Sequence, residues 1–216
     1  MNPQVFQSAS SGRQFRLAGF SLVELLVVIS LTSAASLRNA SSNERVSHNF
    51  RMHWLAEQYA EAALRYCQSQ LLLADTQRVS SLQESVLLAI SAAAVPAWAN
   101  PQTWSGSAGA FASLTSVAKA FVESLDSAFL PQMLPQCVVE RQALPLLQNG
   151  VLVGSADVYV ITARGFSPDY REIRPGVRSG AVVWLQCRLS IQRAAPGDAG
   201  TLADRVWMRI INPPAS

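Results

Sequence analysis

Helix-breaking residues are missing from the first part of this 216-residue chain: proline does not occur between Pro3 and Pro96, nor glycine between Gly19 and Gly106. Both residues break helices, so about 75 residues after Gly19 exclude a turn-rich fold and read as mostly helix. Ten of the eleven prolines lie from Pro96 onward and nine of the eleven glycines from Gly106 onward, which makes the rest strands and turns. Charge is scarce as well. Charged residues make up 14% and apolar ones 50%, excluding a disordered tail or a charge-rich scaffold. The net charge of +3 owes much to Arg13 and Arg16; beyond residue 19, 15 basic residues face 14 acidic ones. No basic stripe remains, so nucleic acid is not an expected partner. Two histidines and three cysteines leave little for a metal site. His48 and His53 fall on different helical faces, each four residues from a glutamate (Glu44, Glu57), and read as solvated. No metal or other cofactor is expected.

What is present is an apolar run, Phe20 to Leu37, closed by Arg38. Eighteen helical residues span roughly 27 Å, enough to cross the hydrocarbon of a bilayer. Arg13 and Arg16 before the run favour a cytoplasmic N-terminus. One residue is out of place: Glu24 sits five positions into the run. A carboxylate there costs about 2.5–3.5 kcal/mol near a membrane centre and less near its edge, so a pairing partner is expected.

The segment Gly19-Phe20-Ser21-Leu22-Val23-Glu24-Leu25-Leu26-Val27-Val28-Ile29 resembles the class III signal of type IV pilins and pseudopilins. The resemblance implies cleavage of a basic leader by prepilin peptidase between Gly19 and Phe20, then N-methylation of Phe20. It makes Glu24 the fifth-position acid, which pairs with the amino group of a neighbouring Phe20 when subunits stack, so that two costly charges satisfy each other away from water. The competing readings are an ordinary secretory signal cut near Ser33-Ala34-Ala35, against which Glu24 counts, and a plain membrane anchor. Further on, Glu44-Arg45, Asn49 and Ala60-Glu61-Ala62-Ala63-Leu64-Arg65 are similar to the segment that follows the membrane helix in PilX-type minor pilins. Tyr59 departs from that pattern where an alanine is usual, and Ser30, Thr32, Ser33 and Ser36 make the membrane half more polar.

Read from the residues alone, the second half is still a good helix. Ala56, Ala60, Ala63 and Cys67 form a narrow seam of small residues that lets a sheet or helix approach closely. Val46, Phe50 and Trp54 form an apolar stripe, and Glu57, Glu61 and Arg65 an outer charged face. Residues 96–112 read as a loop carrying Trp98 and Trp104, for which buttressing of the core is favoured over a contact surface. A short amphipathic helix follows, with Leu114, Val117, Phe121 and Leu125 on one side and Pro131 and Pro135 ending it. From Cys137 the period becomes two, with strands expected at 137–141, 156–164, 180–193 and 201–212. In the third strand Ala181, Val183, Leu185, Cys187, Leu189 and Ile191 form the packed face, and Trp184, Gln186, Arg188, Ser190 and Gln192 the wet one. Residues 165–180 read as an exposed hairpin loop. Gly165-Phe-Ser-Pro-Asp169 fails as a serine-hydrolase elbow: Asp169 stands where glycine is needed, and no histidine follows His53. No phosphate loop, dinucleotide fingerprint or paired-cysteine motif occurs, and no enzymatic activity is expected.

Three cysteines in a head across the membrane suggest one disulfide and a spare thiol, with three pairings open. Resemblance favours Cys67–Cys137, because the position of Cys187 is commonly serine in similar sheets. Closing that loop of about 70 residues is worth ~4 kcal/mol on the chain-entropy view.

The expected organisation is a leader (1–19), a transmembrane half-helix (20–37), a periplasmic helical half (38–95), a connector with a short helix (96–135) and an antiparallel β-sheet head (136–216). That is an α+β, pilin-like fold. The resemblance implies a PilX-like minor pilin acting in initiation and assembly of type IV pili, in the inner membrane with a periplasmic head and then in the pilus. Its partners are prepilin peptidase, the major pilin, the other minor pilins and the inner-membrane assembly platform. A type II secretion pseudopilin is the alternative, and an exported binding protein or enzyme with an ordinary signal a more distant one.

Overall fold

A computed structural model of the chain describes residues 18–90, 95–105, 114–123, 130–148, 151–174, 177–211 and 213. The chain divides into two units, residues 1–49 and 50–216. One helix, α1 (Ala18–Leu72), opens the described part. Within the first unit its apolar side chains from Leu22 onward are exposed, Leu22 at 61% and Ile29 at 50% among them.

The second unit is a helix on a sheet. From Leu55 to Leu71, α1 lays Leu55, Ala56, Tyr59, Ala60, Ala63, Leu64, Cys67 and Leu71 into one core with the sheet. The helix was expected to reach residue 95 but ends at Leu72, followed by 3-10 turns at Asp75–Gln77 and Ser80–Leu82 and the short strand β1 (Leu88–Ala89). No glycine or proline stands at this stop; two arginines, one local and one distant, bond to the carbonyls there. Arg193 donates to the Leu71 carbonyl at 2.7 Å and Arg78 to that of Leu73 at 3.1 Å, so the helix's terminal acceptors are satisfied from outside.

The strands β2 (Leu114–Ser116), β3 (Gln136–Gln148), β4 (Val151–Phe166), β7 (Val182–Arg193) and β8 (Gly200–Arg209) join β1 in a six-stranded sheet. Its order is β1-β3-β4-β7-β8, with β2 also on β3. Every pairing is antiparallel except the two-residue contact of β1 with β3. A separate hairpin, β5 (Arg171–Arg174) with β6 (Val177–Ser179), fills the expected loop 165–180. Between β2 and β3 lies the short helix α2 (Lys119–Glu123). Leu114 was expected to begin that helix; instead residues 114–116 pair with 138–136 of β3, a tertiary pairing that overrides the helical spacing. Leu125 lies outside the described residues.

The face of β7 toward α1 is as its alternation predicts: Val183, Leu185, Cys187, Leu189 and Ile191 are buried. The other face is wet only in part. Trp184 is buried there against Trp104 and Val138, because the connector carrying Trp98 and Trp104 covers that end of the sheet.

Candidate functional site

Gly19 and Phe20 lie in the first turn of α1, and residues 1–17, most of the expected leader 1–19, lie outside the described residues. Glu24 is exposed, one turn further on, among Leu22, Val23, Leu25 and Leu26, each more than half exposed. Among the described residues it has no ion pair. An 18-residue window at this end of the helix reaches a mean hydropathy of 1.5, long and apolar enough to cross a membrane. The hydroxyls that make the run more polar are satisfied locally. Ser30 donates to Leu26 O at 2.7 Å, Thr32 to Ile29 O at 3.0 Å and Ser36 to Thr32 O at 2.8 Å. Hydroxyls bonded back to their own helix add little cost in lipid. Glu24 is the one charged group in the stretch from Ser21 to Leu37, and among the described residues it has no ion-pair partner.

Further along the helix, the small-residue seam meets the sheet. Ala56, Ala60, Ala63 and Cys67 are fully buried. Gly165 of β4 lies directly beneath, and a Cβ built there would collide with the Ala56 carbonyl and the Ala60 nitrogen. Sequence reasoning found the seam but not the glycine, since residue 165 was expected to begin a loop, whereas β4 carries it inside a strand. Cys67 is disulfide-bonded to Cys137, 70 positions further on, with Cα atoms 6.7 Å apart. Cys187 is a buried free thiol, its pKa pushed up to about 11 by burial.

Two polar groups that the sequence did not single out fix the connector. The Glu140 carboxylate, on β3, accepts the Ala97 N–H at 2.6 Å and the Trp98 N–H at 3.3 Å. Burial raises its pKa above the usual range, although these two bonds pull the other way. Arg164, on β4, is buried over the Trp104, Phe166 and Trp184 rings at 4.9, 5.2 and 5.6 Å. It donates to Gln136 Oε1 at 2.8 Å and to Trp104 O at 2.6 Å. Burial lowers its pKa to about 10, so it stays charged at neutral pH, held by ring faces and carbonyl oxygens.

Of the outer helical charges, Glu61 pairs with Arg65, while Glu57 approaches Arg209 of β8 at 3.9 Å. His53 Nε2 lies 2.9 Å from an Arg209 nitrogen and His48 is exposed. Among the described residues no three His, Cys, Asp or Glu side chains cluster as metal ligands would. No protein-family model matches this chain, and neither does any curated protein or solved structure. The architecture defines an α+β protein whose long apolar N-terminal helix packs on an antiparallel sheet, and that architecture is compatible with a pilin-like fold.

Proposed function

We propose that this chain is a minor pilin, most like the PilX type, that takes part in the initiation and assembly of type IV pili and catalyses no reaction of its own. The observation that carries the reading is Glu24: an acid without an ion pair, five residues after Gly19, in an otherwise apolar helix. Prepilin peptidase cuts between Gly19 and Phe20, and the freed Phe20 amine is methylated. Glu24 of one subunit then neutralises the amine of the next, which gives stacking a fixed register. The head from Phe50 onward supplies surfaces for other minor pilins, the major pilin and the assembly platform. The protein sits first in the inner membrane with its head in the periplasm, an oxidising compartment suited to the Cys67–Cys137 bond, and then in the pilus.

Mass spectrometry of the mature N-terminus tests this directly. Methylated Phe20 is expected, and a chain beginning near Ala34 or Ser36 would overturn the reading. Deletion is expected to abolish twitching while type II secretion continues; the opposite result assigns the chain to a secretion pseudopilus.

A further inference from the structure

Among the described residues β8 is the open edge of the six-stranded sheet. The Ile210 N–H donates to Trp184 O at 3.1 Å, continuing the register that sets Leu185 opposite Arg209. Bonded and non-bonded pairs alternate along an antiparallel ladder, so Arg209, Trp207 and Arg205 turn their backbone N–H and C=O groups away from β7. The Arg205 N–H is held by its neighbour, donating to Asp204 Oδ1 at 2.7 Å. Those of Trp207 and Arg209 point outward.

The same three residues stand opposite Leu189, Cys187 and Leu185, so their side chains lie on the face that α1 covers. There a groove of ≈ 450 Å³ runs between α1 and β8, lined by Glu61, Arg65, Gln68, Arg205 and Trp207. Its charges do not balance. Arg65 is taken by Glu61 and Arg209 by Glu57, whereas Arg205 lies 5.2 Å over the Trp207 ring with no carboxylate partner among the described residues. On the opposite face of β8, Val206 and Met208 are exposed at 53% and 47%.

We propose that β8 is a docking edge for an extended segment of another protein, one with carboxylates on the face toward α1 and apolar side chains on the other. Main-chain bonds to Trp207 and Arg209 would add it to the sheet. An inward-turned charge on an edge strand repels apolar strands, because pairing would bury Arg205 uncompensated; an acidic strand meets that charge instead. Arg205 thus both guards the edge and selects its occupant, while Val206 and Met208 receive the apolar row.

The test uses the full chain in detergent micelles and two fluorescein-labelled ten-residue peptides, one alternating glutamate with valine and the other lysine with valine. The glutamate peptide is expected to bind and to slow amide exchange at Trp207 and Arg209. Arg205→Gln, at an exposed position, should weaken that binding several-fold with the fold intact. Arg205→Glu should reverse the preference, so that the lysine peptide binds better by at least about tenfold. Equal binding of both peptides to the unmodified chain, protection elsewhere than β8, or no binding of the glutamate peptide overturns the proposal.

Discussion

Replacing Gly165 by alanine places one methyl group between the sheet and α1, where there is no room for it. The Cβ would meet the Ala56 carbonyl and the Ala60 nitrogen, with the Tyr59 carbonyl carbon only 2.8 Å away. These are backbone atoms of a helix, so none can rotate aside. The helix cannot swing clear as a body either, since Cys67, two to three turns further on, is bonded to Cys137 of β3. Overpacking costs about 1–3 kcal/mol, and a backbone obstacle puts this site at the upper end. For a unit of this size each kcal/mol lowers Tm by roughly 2–4 °C, so Gly165→Ala should lower it by about 6–12 °C. Gly197→Ala is the control. The nearest atom to its Cβ is 4.0 Å away, but its φ of +87° penalises a side chain by about 1–2 kcal/mol. Thermal unfolding by circular dichroism in detergent, with the disulfide intact, should rank Gly165→Ala below Gly197→Ala. A fall of less than about 2 °C for Gly165→Ala would refute the close approach of helix and strand.

Three further outcomes are expected. Glu24→Ala should leave leader cleavage intact but reduce the protein recovered in sheared pili; unchanged incorporation argues against the pairing role. Glu140 has a raised pKa because its charged form is desolvated, so the folded state holds its proton more tightly than the unfolded chain. Its contribution to stability should therefore decline as pH rises from 4.5 through that raised pKa, and the slope should vanish in Glu140→Gln when Tm is measured against pH for both proteins. Cys67→Ser, or Cys137→Ser, should lose about 4 kcal/mol in denaturant unfolding, the value for a loop of 70 residues; a loss under about 1 kcal/mol would show that the bond does not restrain the unfolded chain.

The α+β division was legible because it is written in residues that act locally. Proline and glycine are absent where α1 runs, and a period of two marks β7. What escaped depends on residues far apart in the chain. At the end of α1 no glycine or proline marks the stop, and the Leu71 carbonyl is met by Arg193, more than a hundred residues on. Trp184 belongs by alternation to the wet face of β7, and only the fold of the connector over it explains its burial. The arms of β3 and β4 run on to residues 148 and 151, beyond the strands expected at 137–141 and 156–164; Pro145 pairs with Ser155 in a regular register. At the N-terminus the reverse holds: the spacing of Gly19, Phe20 and Glu24 is read from the sequence alone, while among the described residues Glu24 has no ion-pair partner.

That asymmetry bears on how Glu24 is neutralised. A helix that is apolar all round belongs in lipid or among other helices, since water would cover it on no side at low cost. The Ser30, Thr32 and Ser36 hydroxyls bond to the helix itself, whereas a carboxylate is far costlier in lipid than a hydroxyl and is the group that demands an external solution. Protonation would suffice in the membrane but would leave stacking indifferent to residue 24. The amine at Phe20, one turn upstream, could serve Glu24 within the same chain, and stacking would again be indifferent. Pairing with the amine of the next subunit is the arrangement in which removing the acid weakens incorporation while leaving export and cleavage alone. The two measurements on Glu24→Ala, cleavage and pilus content, therefore separate pairing between subunits from both solutions within one chain.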